Sequence, residues 1–137
     1  MRHKVDIERL QPFGVELAVD GDGEIDLHNF ADFVAHESTE ARLRLLWRAS
    51  ETGKLTIRKS LPNKKFRLEV IKDVSWVFEG VRNLQFGPRD PEMPKSEDDT
   101  LNFFEVRRES LGIKSRFVFQ GGVEIQFVAE STYVETA

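Results

Sequence analysis

Apolar residues recur at every second position along most of this chain, the period of a half-buried strand. Where two such runs flank a glycine, the phase of the alternation limits the loop between them. In "LQPFGVELAVDGDGEIDL", Val15, Leu17 and Val19 alternate with other residues, and Ile25 and Leu27 resume the pattern. Setting Val19 opposite Ile25 and Leu17 opposite Leu27 leaves Gly21, Asp22 and Gly23 as the loop. Glycine then holds the third loop position, where a three-residue hairpin loop is left-handed. The same construction on "RLRLLWRASETGKLTIRK" aligns Leu45, Trp47 and Ala49 with Leu55 and Ile57 across Glu51, Thr52 and Gly53. In "SRFVFQGGVEIQFVAE" a two-residue Gly-Gly turn would put Phe117 and Phe119 on the face opposite Val123, Ile125 and Phe127, whereas the loop Gln120, Gly121, Gly122 brings all of them together. Hairpins of one repeated geometry predict a mainly β fold, a single antiparallel β-sandwich or rolled, barrel-like sheet with one short helix, spanning residues 1–137 as one domain.

The helix is expected in "NFADFVAHE", where Phe30, Phe33 and Val34 share a helical face that Leu27 can join. In "FRLEVIKDVSWVF" Phe66, Leu68 and Val70 alternate, then Val74, Trp76 and Phe78, with a bulge or short turn expected near Asp73. "EGVRNLQF" reads as a further short strand or irregular edge, and "TLNFFEVRR" as a strand on Leu101 and Phe103, although Leu101, Phe104 and Arg108 would also suit a helix. The segment "GPRDPEMPKSEDDT", residues 87–100, contains Pro88, Pro91 and Pro94 and must be loop or edge, because proline removes ladder donors.

Composition is consistent with this outline. At 137 residues one ordinary core suffices, since roughly two-thirds of the unfolded surface can be buried at this size. Eleven Phe and two Trp favour strands. The absence of Cys excludes disulfides, thiolate metal sites and cysteine nucleophiles. "MRHKVDIERLQ" lacks the apolar stretch of a secretory signal and no run is long enough to span a bilayer, so a soluble cytoplasmic protein without membrane partners is the expectation.

"AVDGDGEIDLHNF" resembles the calcium loop of an EF-hand. With Gly23 as the sharp-turn glycine, Asp20 and Asp22 fall on ligand positions and Ile25 on the apolar one. The first ligand position, however, is Ala18, and the last, which calls for a bidentate Glu, is Asn29. The preceding segment also has the period of a strand, so the hairpin is the better reading.

Three constellations could carry chemistry. His28, Asp32, His36 and Glu40, spaced four apart, would line one helical face and could hold a divalent metal, or simply form its solvated side. Glu97, Asp98 and Asp99 of "SEDD", beside "PRD", could supply an acid–base pair, but lie in a polar run where solvation holds carboxylates near ordinary values; Ser96 with Asp99 equally suits a turn or a helix cap. No nucleophile elbow, phosphate loop or dinucleotide fingerprint occurs. No metal, cofactor or catalytic residue is therefore assigned.

The third constellation is charge. Residues 16–40 hold eight acidic side chains and no Lys or Arg, whereas residues 41–72 hold ten Lys or Arg against two Glu, an asymmetry hidden in the net charge of -4. On the second hairpin Arg42, Arg44 and Arg48 would share an outer face with Arg58, with Lys64, Lys65 and Arg67 nearby. That face could bind an acidic protein or phosphates, or the acidic segment could lie alongside and neutralise it. The expectation is a non-enzymatic protein-interaction module contacting its partner through Arg44, Arg48, Arg58 and Arg67, with Arg89 and Asp90 setting register at the proline-rich loop. Alternatives are a small enzyme with a carboxylate or His28 in a sheet cleft, and nucleic-acid or weak divalent-metal binding; self-association through an edge strand is a further possibility.

Overall fold

In the computed structural model, which describes every residue except Thr52, the strands form three antiparallel sheets. Sheet A has the order β1 (Arg2–Lys4), β13 (Ser131–Thr136), β8 (Asp73–Glu79), β5 (Arg42–Ala49) and β4 (Ala31–Thr39). Sheet B has the order β2 (Glu16–Val19), β3 (Gly23–Asp26), β6 (Thr56–Ser60) and β7 (Phe66–Val70). Sheet C has the order β10 (Leu101–Glu109), β11 (Gly112–Phe119), β12 (Glu124–Ala129) and β9 (Arg82–Phe86). Helical turns among the described residues are the short 3-10 segments Ile7–Arg9, Pro62–Lys64 and Lys95–Asp99. Among the described residues no helix is long and apolar enough to cross a membrane. The mainly β, antiparallel expectation holds, and no sheet closes into a barrel.

One core serves all three sheets. Sheet A contributes Trp47, Trp76 and Phe78; sheet C contributes Phe104, Phe117 and Phe127; sheet B adds Leu17, Val19, Ile25 and Ile57. Phe117 bridges the aromatic rows, with its ring centroid 5.2 Å from Trp76 in an edge-on arrangement and 6.2 Å from Phe127 in a stacked one. At roughly 1.5–3 kcal/mol for each large apolar side chain removed from water, this cluster outweighs the exposed ion pairs of the surface.

The hairpin from β11 to β12 forms in the expected register, with Phe117 opposite Ile125, the Phe119 N–H donating to the Val123 carbonyl at 2.9 Å, and Gly122 left-handed at φ +97°. The β2–β3 hairpin exists but pairs Leu17 with Ile25 and Val19 with Gly23, so its loop is Asp20, Gly21 and Asp22. The left-handed residues are Asp20 (φ +54°) and Gly21 (φ +81°). Gly23 is required for a different reason: a Cβ there would meet Val19 Cγ2 at 3.0 Å and Ile57 Cγ2 at 3.2 Å.

Two expectations fail. The expected loop Glu51, Thr52, Gly53 includes a residue outside those described, and its flanking strands do not form a hairpin: β5 belongs to sheet A and β6 to sheet B. β5 instead pairs with β4 across Glu40 and Ala41. The expected helix over residues 29–37 is strand β4, whose register shifts between Phe33 and Ala35. The extra residue, Val34, produces neighbouring apolar positions that mimic helical spacing. The break expected near Asp73 is real, but it is a change of sheet: Ile71 and Lys72 carry the chain from β7 in sheet B to β8 in sheet A.

Candidate interaction site

Alternation on β5 buries Leu43, Leu45 and Trp47 and turns Arg42, Arg44 and Arg48 outward. The acidic segment lies directly beside them. Glu37 faces Arg44 and Asp32 faces Arg48 across the β4–β5 ladder, while Glu79 and Asp73 of β8 face Arg42 and Arg48 from the other side. Arg44 Nη1 also lies 3.9 Å from Glu135 Oε2 and 3.5 Å from Ser75 Oγ. Arg58 does not join this face, because β6 pairs with β3 and β7. There its guanidinium hydrogen-bonds Glu24, which holds the arginine pKa above its usual value. Arg67, on β7, lies opposite Lys59. The basic residues are thus divided between two sheets and interleaved with carboxylates.

Arg89 and Asp90 fold the proline-rich loop onto the β11–β12 turn. The Arg89 guanidinium clasps Asp98, with Nε and Nη2 at 3.1 Å from its oxygens, and Nη2 donates to the Met93 carbonyl at 2.9 Å. The Asp90 N–H donates to the Gly121 carbonyl at 2.8 Å, and the Gly121 N–H to that of Glu97 at 3.1 Å. Asp98 is therefore paired with an arginine. The 3-10 turn Lys95–Asp99 follows Pro94 and has no side-chain cap, so Ser96 and Asp99 do not pair as a cap.

The spaced His and acidic residues are dispersed. Val34 shifts the phase of β4, so Asp32 lies across from outward Arg48 whereas His36 lies across from inward Leu45, on opposite faces. His28 Nδ1 lies 2.5 Å from the Leu101 carbonyl, and the His36 ring sits 4.7 Å from that of Phe86. Among the described residues no group of three or more His, Cys, Asp or Glu is placed to hold a metal.

The carboxylate of the EF-hand-like loop serves the fold. Asp20 Oδ2 lies 2.5 Å from His3 Nδ1, and Oδ1 accepts the Lys4 N–H at 3.0 Å. His3 Nε2 reaches Thr136 Oγ1 at 2.9 Å. This carboxylate–imidazole–hydroxyl chain has the connectivity of a hydrolytic triad, but His3 is buried and links β1, the β2–β3 loop and β13. Burial, the largest influence, pushes the Asp20 carboxyl up; the bonds from His3 and the Lys4 N–H outweigh it and leave the group below its ordinary value.

The least ordinary surface is the free edge of sheet B. Phe66, Leu68 and Val70 are 61%, 59% and 66% exposed. They share one face of β7, opposite Ser60, Arg58 and Thr56 respectively. Beside them is a groove of about 450 Å³ whose walls include Phe30, Lys54, Leu68 and Val70, with Glu16 and Arg58 at its polar side. Burial, then hydrogen bonding and repulsion from Glu24, raise the Glu16 carboxyl above its usual value. The Arg58 guanidinium carbon lies 5.8 Å from the Phe66 ring centroid. In the sequence Phe66, Leu68 and Val70 alternate just as Val74, Trp76 and Phe78 do, yet the second set is fully buried. The sheet change at Ile71 separates them.

No family model, no curated protein and no solved structure matches this chain.

Proposed function

We propose that this chain is a non-enzymatic protein-interaction module, and that it docks a partner on the β7 edge of sheet B rather than on the arginines of sheet A. The single observation that supports this reading is the coincidence, on one edge strand, of three exposed large apolar side chains with an unpaired backbone edge. Edges of this kind are usually blunted by charge, proline or bulges because they accept further strands. β4, the edge of sheet A, is blunted in that way by its bulge and by Asp32 and Glu37. β7 carries Arg67 and Glu69 on its other face but has neither proline nor bulge, and an added strand would gain main-chain hydrogen bonds from the edge and side-chain burial from the row Phe66, Leu68, Val70. Arg44 and Arg48 already have carboxylates opposite them, which leaves little uncompensated charge to recruit an acidic partner.

Selection of a random-peptide library on the immobilised protein tests this. Enriched peptides should alternate apolar and polar residues, and their binding should fall at least tenfold with Leu68→Lys while Arg44→Ala leaves it unchanged. Peptides that bind Leu68→Lys as well as the parent, or no enrichment at all, would refute the β7 reading.

A further inference from the structure

We propose that the partner seated on β7 is a second copy of this chain, its own β7 paired antiparallel about a two-fold axis through Leu68; this rests on the reading of β7 as the docking edge. The hydrogen-bond phase of the edge follows from its two ends. The Ile71 N–H donates to the Leu55 carbonyl at 3.0 Å and the Leu61 N–H to the Lys65 carbonyl at 2.8 Å. Both are directly opposed pairs in the β6–β7 register, so both are hydrogen-bonded pairs. Antiparallel ladders alternate. Arg67 and Glu69 therefore bond inward to β6, and the N–H and C=O groups of Phe66, Leu68 and Val70 project from the free edge.

With Leu68 opposite the second copy's Leu68, Phe66 falls opposite Val70 and Val70 opposite Phe66. Each of these pairs joins two residues whose backbone groups already face outward, so each can exchange two hydrogen bonds. All six apolar side chains then lie in one row on one face of a sheet continuous across the two copies.

Charge selects this register among those with the same hydrogen-bond phase. Centred on Leu68, Arg67 meets the second copy's Glu69, and Glu69 meets its Arg67. Moving the axis to residue 67 sets Arg67 against Arg67; moving it to residue 69 sets Glu69 against Glu69. Among the residues of β7 itself, the Leu68 register is the one that opposes unlike charges without opposing like ones, and the like-charge alternatives are disfavoured. Within one copy Arg67 lies opposite Lys59, and Glu69 Oε2 is 3.7 Å from Lys59 Nζ, so the second copy's Glu69 supplies Arg67 with a counter-charge across the new edge. Such an isologous contact closes on itself and gives dimers rather than fibres. A five-residue strand is a small interface, below the ~800 Å² per partner typical of stable complexes, so the dimer should be concentration-dependent.

Sedimentation velocity on the full chain, from about 1 μM to about 1 mM, reads the association. The parent should dimerise within this range. Arg67→Glu alone and Glu69→Arg alone should each weaken self-association at least tenfold. Mixing these two variants should give a one-to-one heterodimer, since each then faces only opposite charges, and the double variant Arg67→Glu/Glu69→Arg should dimerise like the parent. A parent that stays monomeric at the top concentration, single variants that associate unchanged, or a mixture that does not associate would overturn the two-fold pairing. If the parent is monomeric yet its peptide binding still depends on Leu68, self-pairing falls while the docking edge stands; if neither is seen, both fall.

Discussion

Replacing Asp20 with Asn isolates the carboxylate in the chain that joins β1, the β2–β3 loop and β13. Asp20 is left-handed at φ +54°, a conformation that Asn tolerates well, so the turn itself is preserved. What changes is the charge on the oxygens facing His3 Nδ1 at 2.5 Å and the Lys4 N–H at 3.0 Å. Hydrogen bonds to charged groups contribute about 1.5–3 kcal/mol against about 0.5–1.5 for neutral ones. Two such exchanges at a side chain 34% exposed, where water screens part of the difference, give an expected loss of about 1–2 kcal/mol at neutral pH. The pH dependence follows from the lowered carboxyl. Its contribution is fully present above the unfolded-state pKa of about 3.9 and disappears as pH falls through the lower folded value. Urea unfolding followed by far-ultraviolet circular dichroism at several pH values reads this directly: the parent's advantage over Asp20→Asn should narrow as pH is lowered from about 5 to about 2.5. Equal stability at neutral pH, or an advantage that grows in acid, would refute the assignment.

Three further outcomes follow from the same coordinates. Phe117→Ala removes the ring between the aromatic rows of sheets A and C and should cost about 3–5 kcal/mol in guanidinium unfolding, with one cooperative transition because both sheets share the core; a loss below about 1 kcal/mol would contradict the bridging role. Gly122→Ala should cost more than about 1 kcal/mol, because the residue is left-handed and a Cβ would lie 2.7 Å from the Asp90 nitrogen; calorimetry that shows an unchanged melting temperature would rule this out. Arg48→Glu would set a third carboxylate between Asp32 and Asp73, lowering stability by about 0.5–1 kcal/mol at low ionic strength, a loss that about 1 M salt should largely erase.

How far the sequence specifies this structure depends on what period-two patterning can encode. It gives the face on which a side chain lies, and so it places Leu43, Leu45 and Trp47 inward and the arginines between them outward. It specifies only the parity of a register: pairing Val19 with Ile25 or with Gly23 puts the same residues on the same faces, and packing of Gly23 against Val19 and Ile57 decides between them. It does not give the partner strand: the alternation is satisfied by pairing β5 with β6, whereas β4 and β8 flank it. The bulge at Val34 imitates a helical repeat and displaces His36 from the face of Asp32, dissolving the candidate metal stripe. The charge blocks at 16–40 and 41–72 were legible as blocks, and the fold answers which way they are used by laying Glu24, Asp32 and Glu37 opposite Arg58, Arg48 and Arg44. The exposed row on β7 was invisible, since an apolar alternation looks the same whether another sheet covers it or not.

Both tryptophans, Trp47 and Trp76, are fully enclosed, and this governs how the molecule can be watched. Their emission should be blue-shifted and resistant to acrylamide quenching, and it should follow loss of the interior while staying insensitive to events at the rim of sheet B. A tryptophan introduced in place of Phe66 would give that rim its own optical signal against two constant interior ones, turning the seclusion of the native indoles into a quiet background.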